Sequence, residues 1–391
     1  MWVFRSVFML LLYLTLNLYI GLRFFAFGRL LLPSLKGLIF WPCYVLLASG
    51  FIFIALFRLD WIGPLRILGM YWPAAFVYLF LFLLVFDLAG LGFKQFRLMP
   101  AGAGAAFCLT LVLLVYGSLH ARNIRTTYYE LSIPRNPGME SFRLVLVSDL
   151  HISPTVDRAW TAKIVDRINE ASPDMVCIAG DIFDSGLETV ADQAGIAAEL
   201  RRISAPLGVY GCLGNHDTDR SSRSTDRIAA FLKDTGMIVL QDEIYEAAAG
   251  LYVAGRKDAR PIGVRSSRLT LPELAASFSG FESSSKEELS NLPAPARKAA
   301  VILLDHQPVE LPQTAAAGFD LVLCGHTHRG QFFPGNIITR WIFQKSGGTH
   351  YGYWQKDAAQ AVVTSGAGVW GPPVRIGTHS EIAVLDLRFT P

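Results

Sequence analysis

The hydrophobic rhythm of the chain changes once. Up to about residue 120, apolar positions run on without a period. Four stretches, about 6–22, 38–57, 70–90 and 102–119, each approach the roughly 20 residues that cross a bilayer. They predict an all-α membrane domain over 1–120 with four transmembrane helices. The first is too long for a signal peptide's apolar region and lacks a small-residue cleavage site. Trp41, Trp61, Tyr71 and Trp72 fall near segment ends, where an interfacial aromatic belt sits. From about 141 the apolar runs shorten and alternate with amphipathic stretches near 158–170, 188–203 and 224–234, the pattern of a layered α/β domain. Between the two parts, 121–140 is polar and contains prolines and a glycine; it reads as a linker with a strand at 126–133.

Composition agrees with this division. Of 391 residues, 52% are hydrophobic and only 17% charged, and the apolar excess lies in the first 120. The net charge of +3 is small for the length, and no basic run suggests a nucleic-acid groove. Four crossings put both termini on one side. Arg23, Arg29, Lys36, Lys94 and Arg97 stand against Arg5, Arg58, Arg66, Arg122 and Arg125, so the total positive charge does not choose the side. The first helix has its larger positive flank after it, which favours an N-terminus outside: a multi-pass protein of the cell (inner) membrane with its globular part extracytoplasmic. Cys43, Cys108, Cys177, Cys212 and Cys324 form no CxxC pair and read as free, packed thiols.

The polar punctuation of the globular part is regular. FRLVLVS ends in Asp149-Leu150-His151, DMVCIA in Gly180-Asp181, and LGVYGCL in Gly214-Asn215-His216-Asp217. AVILL ends in Asp305-His306 and FDLVLC in Gly325-His326-Thr327-His328. Alone, each is an ordinary strand end: Gly-Asp is a common turn, and a single histidine is more often a satisfied packing residue. Together they place five of the eight histidines where ligand sites of α/β sheets gather, leaving His120, His350 and His379 elsewhere. Carboxylate, imidazole and amide ligands suit Mn, Fe, Co or Zn, not a thiolate site. Asp149, His151, Asp181, Asn215, His306, His326 and His328 are too many for one tetrahedral ion. They fit two ions sharing a carboxylate, an arrangement that activates water and clamps a phosphoryl group. An imidazole near the leaving oxygen would complete it.

The ordered set Asp149-x-His151, Gly180-Asp181, Gly214-Asn215-His216-Asp217, His306 and Gly325-His326-x-His328 resembles the calcineurin-like metallophosphoesterase superfamily over about 141–391. GHTHRGQFFPGN and SGAGVWGPPVRIGTHSEIAVLDL are similar to a membrane-anchored subgroup, transmembrane protein with metallophosphoesterase domain. The resemblance implies a four-layer α-β-β-α sandwich and two divalent metal ions, with Mn favoured. It implies that Asp149, His151, Asp181 and His328 hold the first ion. Asp181 would bridge to the second, completed by Asn215, His306 and His326. His216 would be the proton donor or transition-state stabiliser, Asp217 would orient its ring, and a hydroxide bridging the ions would be the nucleophile.

Two features depart from the family pattern. Arg329 stands where many relatives have a small residue; it reads either as a partner for a substrate phosphate or as a solvated turn arginine. The segment 256–298 reads as an insertion: Arg256, Lys257, Arg260, Arg265 and Arg268, then LTLPELAASFSGF, then a Ser/Glu/Lys stretch. That order suits a lid over an amphiphilic substrate, or else a surface loop. His350 and His379 read as surface or packing residues, and Trp354 and Trp370 as core or site-mouth residues. The leading functional reading is a membrane-anchored dinuclear hydrolase of a phosphodiester or pyrophosphate bond, with a membrane lipid as the substrate favoured by the tethering. The alternatives are a phosphodiesterase of soluble nucleotides that uses the helices only as an anchor, and a non-catalytic membrane sensor or scaffold. The intact ligand set counts against the last.

Overall fold

The structure, a computed structural model, describes residues 2–57, 63–92, 100–218, 222–259, 268–277 and 298–390. Two compact units divide the chain, and the second begins at Ala121.

The first unit is helical: α1 (Trp2–Leu31), α2 (Gly37–Phe57), α3 (Gly63–Gly92) and α4 (Pro100–Ala121). Among the described residues, three apolar stretches are long enough to span a membrane: Phe4–Leu31, Ile67–Gly90 and Ala101–Ala121. The expectation was of four. The second expected span coincides with α2, whose described side chains give only the shorter stretch Gly37–Ile52. Ile20, Ala48, Trp72, Leu79, Leu83, Ala103 and Ala106 form the shared core of the bundle. Arg23, expected in a loop, lies on α1 and pairs with Asp87 of α3 at 2.5 Å. A charge among apolar helices is tolerated when it is partnered in this way.

The second unit contains two six-stranded sheets. The first is built from β1 (Arg125–Ile133), β2 (Ser141–Val147), β3 (Met175–Ala179), β4 (Val209–Cys212), β5 (Ile238–Val239) and β12 (Glu381–Phe389). Its order is β1-β12-β2-β3-β4-β5. The second is built from β6 (Glu243–Ala248), β7 (Leu251–Gly255), β8 (Ala300–Leu304), β9 (Leu321–Cys324), β10 (Gly352–Lys356) and β11 (Ala359–Val363), in the order β10-β11-β9-β8-β7-β6. β2 through β5 are parallel neighbours, and so are β7, β8, β9 and β11. The stretch read as a linker thus supplies β1, which pairs with β12.

Alternation along the strands builds the layers. Leu144, Leu146, Met175 and Cys177 of one sheet meet Val253, Ile302, Leu304 and Leu323 of the other in a central core. Val145, Val147, Val176 and Ile178 face the opposite way. There they pack against α5 (Arg158–Glu170), α6 (Gln193–Leu200) and α7 (Ser222–Asp234) through Trp160, Ile164, Ile168, Ile196, Leu200, Ile228 and Leu232. Val301, Leu303 and Val322 pack against Leu271 and Leu274 of α8 (Leu271–Ala276) and Leu311 of α9 (Leu311–Thr314). The result is an α/β fold of four layers. Because the central strands are buried on both faces, they read as continuous apolar runs. The helix expected at 188–203 is shorter than the sequence pattern predicts. A single 3₁₀ turn, Leu187–Thr189, precedes α6, whose start is set by the Asp192 carboxylate accepting from Gly195 N.

The expected lid at 256–298 lies largely outside the described residues; its ends do not. Arg256 is buried and donates to Asp305 Oδ2 at 2.9 Å, to Glu310 Oε2 at 3.1 Å and to the Leu269 carbonyl. Arg268 joins the same two carboxylates. Leu271 and Leu274, from the apolar part of the expected lid, are core residues beneath a capping box formed by Thr270 and Glu273. Two of the basic residues and part of the apolar stretch are therefore committed to the domain.

Arg256→Ala should destabilise the protein by about 3 kcal/mol, because it removes one partner of a buried pair. Lys257→Ala removes a half-exposed partner of Asp242 and should cost less than about 1 kcal/mol. Thermal melts of the full chain in detergent compare the two.

Candidate metal centre

The five expected strand ends converge. Past β2 and β3 the parallel ladder continues as loop-to-loop bonds: Asp149 N donates to Gly180 O at 3.0 Å, and His151 N to Asp181 O at 3.1 Å. Gly325 N donates to His306 O at 3.0 Å and ties the two loops of the second sheet together. Ligand atoms of Asp149, His151 and His328 lie within 4.8 Å of one another, and so do those of Asp181, His306 and His326. In the first group, the Nε2 atoms of His151 and His328 are 3.0 Å apart, and Asp149 Oδ1 is 3.5 Å from the latter. At the edge of the second, Asn215 Oδ1 lies 2.9 Å from His326 Nδ1.

One oxygen joins the groups. Asp181 Oδ1 accepts the backbone N–H of His216 at 2.8 Å. Asp181 Oδ2 lies 3.1 Å from His306 Nε2 and 3.7 Å from His151 Nε2. His306 Nδ1 is 2.7 Å from the Ala179 carbonyl, to which it donates. Its buried Nε2 has no hydrogen-bond partner. A buried ring nitrogen facing a carboxylate oxygen without a hydrogen bond is what a cation between them would satisfy.

The backbone is strained where the ligand candidates sit. Asp149, His151, Asp181, His326 and His328 all have positive φ, between 47° and 70°. Such conformations cost of order 1–3 kcal/mol each and persist where the surroundings over-determine them. Gly180 shows one source of that constraint: a Cβ there would meet His306 Nδ1 at 2.7 Å and Gly214 N at 2.8 Å.

The electrostatics suit cation binding. Burial, reinforced by the neighbouring His306, lowers His326 to about 3. Burial, with His151 and Arg375 nearby, pushes His328 well below the usual range. Both rings are therefore neutral, as ligands must be. Burial opposes the Asp181 carboxylate, but His306 and His151 outweigh it and hold it ionised. Burial also works against a charged His306, yet Asp181 and Asp149 hold it well above its usual range, a demand for positive charge at this spot.

Residues 142–330 match the family model for calcineurin-like phosphoesterase. This stretch is a calcineurin-like phosphoesterase domain. An uncharacterized metallophosphoesterase of Campylobacter jejuni is 27% identical over 278 residues, covering 71% of this chain and 67% of that protein. The transmembrane protein with metallophosphoesterase domain of Danio rerio is 29% identical over 287 residues, covering 72% and 62%. An uncharacterized metallophosphoesterase of Aquifex aeolicus is 29% identical over 288 residues, covering 72% and 98%. The match to the Danio rerio protein and to its Bos taurus namesake spans less than two thirds of their length.

Within the phosphoesterase domain, one assignment changes and two residues join the site. Asp217 does not orient the His216 ring. Its buried carboxylate accepts from Ile182 N, Phe183 N and Gly214 N at 2.8–3.1 Å and fastens two ligand loops together. Burial, then the nearby Asp181, raises it to about 6. His216 Nδ1 instead faces the Asp184 carbonyl at 2.8 Å, and the Asp184 carboxylate lies 3.2 Å from His151 Nδ1. Asp184 escaped the sequence reading; its signal was the second acid of GDIFD, three residues after Asp181. Arg329 is held over the Tyr351 ring, 4.1 Å from its centroid. The buried arginine beside the ligands is Arg375, also missed, which donates to the carbonyls of His328, Ser365 and Gly368. Trp370 is at the site mouth, its ring 6.1 Å from that of His216, while Trp354 packs on the outer core of the second sheet.

Asp181→Asn should retain at least one fewer ion per chain than the unaltered protein, read by elemental analysis of the purified full chain. Asp184→Ala should weaken metal binding about 10–100-fold, through loss of the carboxylate that orients His151. Chelator competition measures it, and unchanged affinity would show that His151 needs no such support.

Proposed function

We propose that the protein is a membrane-anchored, dinuclear metal-dependent phosphoesterase that hydrolyses a phosphodiester or pyrophosphate bond of a lipid-linked substrate, with Mn favoured. The observation that carries this reading is the placing of Asp181 Oδ2 within reach of His306 and His151, so that a single carboxylate oxygen serves both ligand groups. Asp149, His151 and His328 would hold one ion, His306, His326 and Asn215 the other, and Asp181 both. Bound ions supply activation of water and neutralisation of charge on the phosphoryl oxygens.

His216 is suited to serve the leaving group. Its side chain is 25% exposed, unlike the buried His151 and His306, so it can meet a substrate. Donation from Nδ1 to the Asp184 carbonyl orients the ring and leaves Nε2 to deliver a proton. Arg329, steadied by Tyr351, is the candidate partner for a phosphate oxygen at the rim. Three stretches in the same chain that are long and apolar enough to span a membrane favour a substrate held in the bilayer over a soluble one.

The metal-stripped chain should be inactive, and Mn²⁺ should restore cleavage of a chromogenic phosphodiester and of a lipid pyrophosphate. Failure to cleave any phosphoester with ions loaded would sink the reading. His216→Ala should keep its metal and lose about 10²–10⁴-fold in kcat; loss of metal instead would make the residue structural.

A further inference from the structure

Helix α10 (Gly335–Lys345, GNIITRWIFQK) begins seven residues after His328, and it is an anomaly for a helix of a folded domain: none of its residues is buried. Asn336, Thr339 and Phe343 are half-buried, which marks the side turned to the domain. Ile337, Ile338, Trp341 and Ile342 fall at helical spacing on the other side and are between 51% and 64% exposed. Phe333, just before the helix, is 44% exposed. An isolated helix shorter than about 12–15 residues is marginal in water, and helices in proteins gain most of their stability by packing an apolar face. Each of these large side chains would contribute roughly 1.5–3 kcal/mol on full burial. The face is built to be covered.

The helix's own composition and the rest of the chain say by what. α10 has no acidic residue and carries Arg340 and Lys345. Lys345 Nζ lies 5.2 Å from the Trp341 ring centroid, its stem along the aromatic and its charge at the helix end. Large apolar and tryptophan side chains on one side, with basic groups at the border, characterise a helix lying in a membrane interface. The same polypeptide has three stretches long and apolar enough to cross a bilayer, which would make a lipid surface a permanent neighbour at high effective concentration. A groove on another protein would need to be supplied.

We propose that α10 is an interfacial helix that docks on the lipid surface. Ile337, Ile338, Trp341 and Ile342 enter the acyl boundary, and Arg340 and Lys345 meet lipid phosphates. Docking brings the candidate centre to the headgroup layer, because the connection between them is short and fixed. Gly330 N donates to Thr327 O, Phe333 N to Ile376 O at 2.9 Å, and Gly335 N to Phe332 O at 2.7 Å. Substrates presented at the headgroup level then reach the ligand loop without leaving the membrane. The proposal rests on the membrane anchoring and not on turnover, so it stands or falls separately from the phosphoesterase assignment.

The test uses the full chain, one copy per nanodisc, in an equal mixture of phosphatidylcholine and phosphatidylglycerol. The emission of Trp341→Phe subtracted from that of the unaltered protein isolates Trp341 from the other tryptophans. With phosphatidylcholine brominated near the glycerol end of its acyl chains, the difference signal should be blue-shifted and at least about twofold weaker. A difference signal that bromine leaves unchanged would overturn the proposal. If it emits at long wavelength the helix faces water, and if it is blue-shifted another protein surface, such as a second copy, covers it. Trp341→Phe removes an exposed ring and keeps an aromatic in its place, so the comparison does not depend on a variant that fails to fold.

Discussion

Carboxylates and imidazoles packed together in a dry interior need a compensating charge, and the second unit is organised around that need. Asp149, His151, Asp181 and His306 are almost wholly buried, and their polar atoms face one another. A protein would be destabilised by several unsatisfied groups of this kind. Here the surroundings hold the groups in place. Five ligand candidates are kept in left-handed backbone, the Asp217 carboxylate pins two of the loops, and buried Arg375 grips the loops carrying His328 and Ser365. Bound divalent cations would make such an assembly favourable, and would link metal binding to local folding through the same atoms.

The sheets explain how the parts meet. β2, β3 and β4 of one sheet, and β8 and β9 of the other, end at a common edge, so residues far apart in the chain become neighbours. Asp181 and His306 are an example: the loop after β3 and the loop after β8 come from different layers, yet one carboxylate oxygen and one ring nitrogen lie 3.1 Å apart. The buried network of Arg256, Arg268, Asp305 and Glu310 lies beside that second loop, since Asp305 precedes His306 in sequence. It anchors the ends of the 256–298 segment and at the same time steadies a strand end that carries a ligand.

The membrane unit and α10 show two ways an apolar surface is resolved. In the helical unit, polar groups among the helices pair internally, as Arg23 does with Asp87 and Trp72 Nε1 with Tyr13 OH at 3.0 Å, leaving apolar side chains to face outward. In α10 Asn336, Thr339 and Phe343 turn to the domain, and Ile337, Ile338, Trp341 and Ile342 to the surroundings. Both fit a surface of lipid, and neither is the pattern of an ordinary soluble helix.

The pattern of residues determined much by itself. The doubly buried strands β2, β3, β4, β8 and β9 are legible as apolar runs, and the polar groups at their ends name the ligand candidates. Strands with exposed or small residues, such as β6 with EIYEAA and β11 with AQAVV, carry no such signal. The apolar, helical character of the first unit was equally plain, since composition alone decides it. Only the tertiary structure decided between acids that look alike in sequence. Asp217 adjoins His216 in the chain but turns into the core to accept three backbone N–H groups, while Asp184, from another loop, meets the rings of both His151 and His216. It likewise withdrew Arg256 into an ion pair, laid Arg329 on Tyr351 and brought Arg375 to the centre. The reason is directional. Residue type and spacing say which groups leave a strand end, but where each side chain points depends on backbone conformation and on partners contributed from elsewhere in the fold.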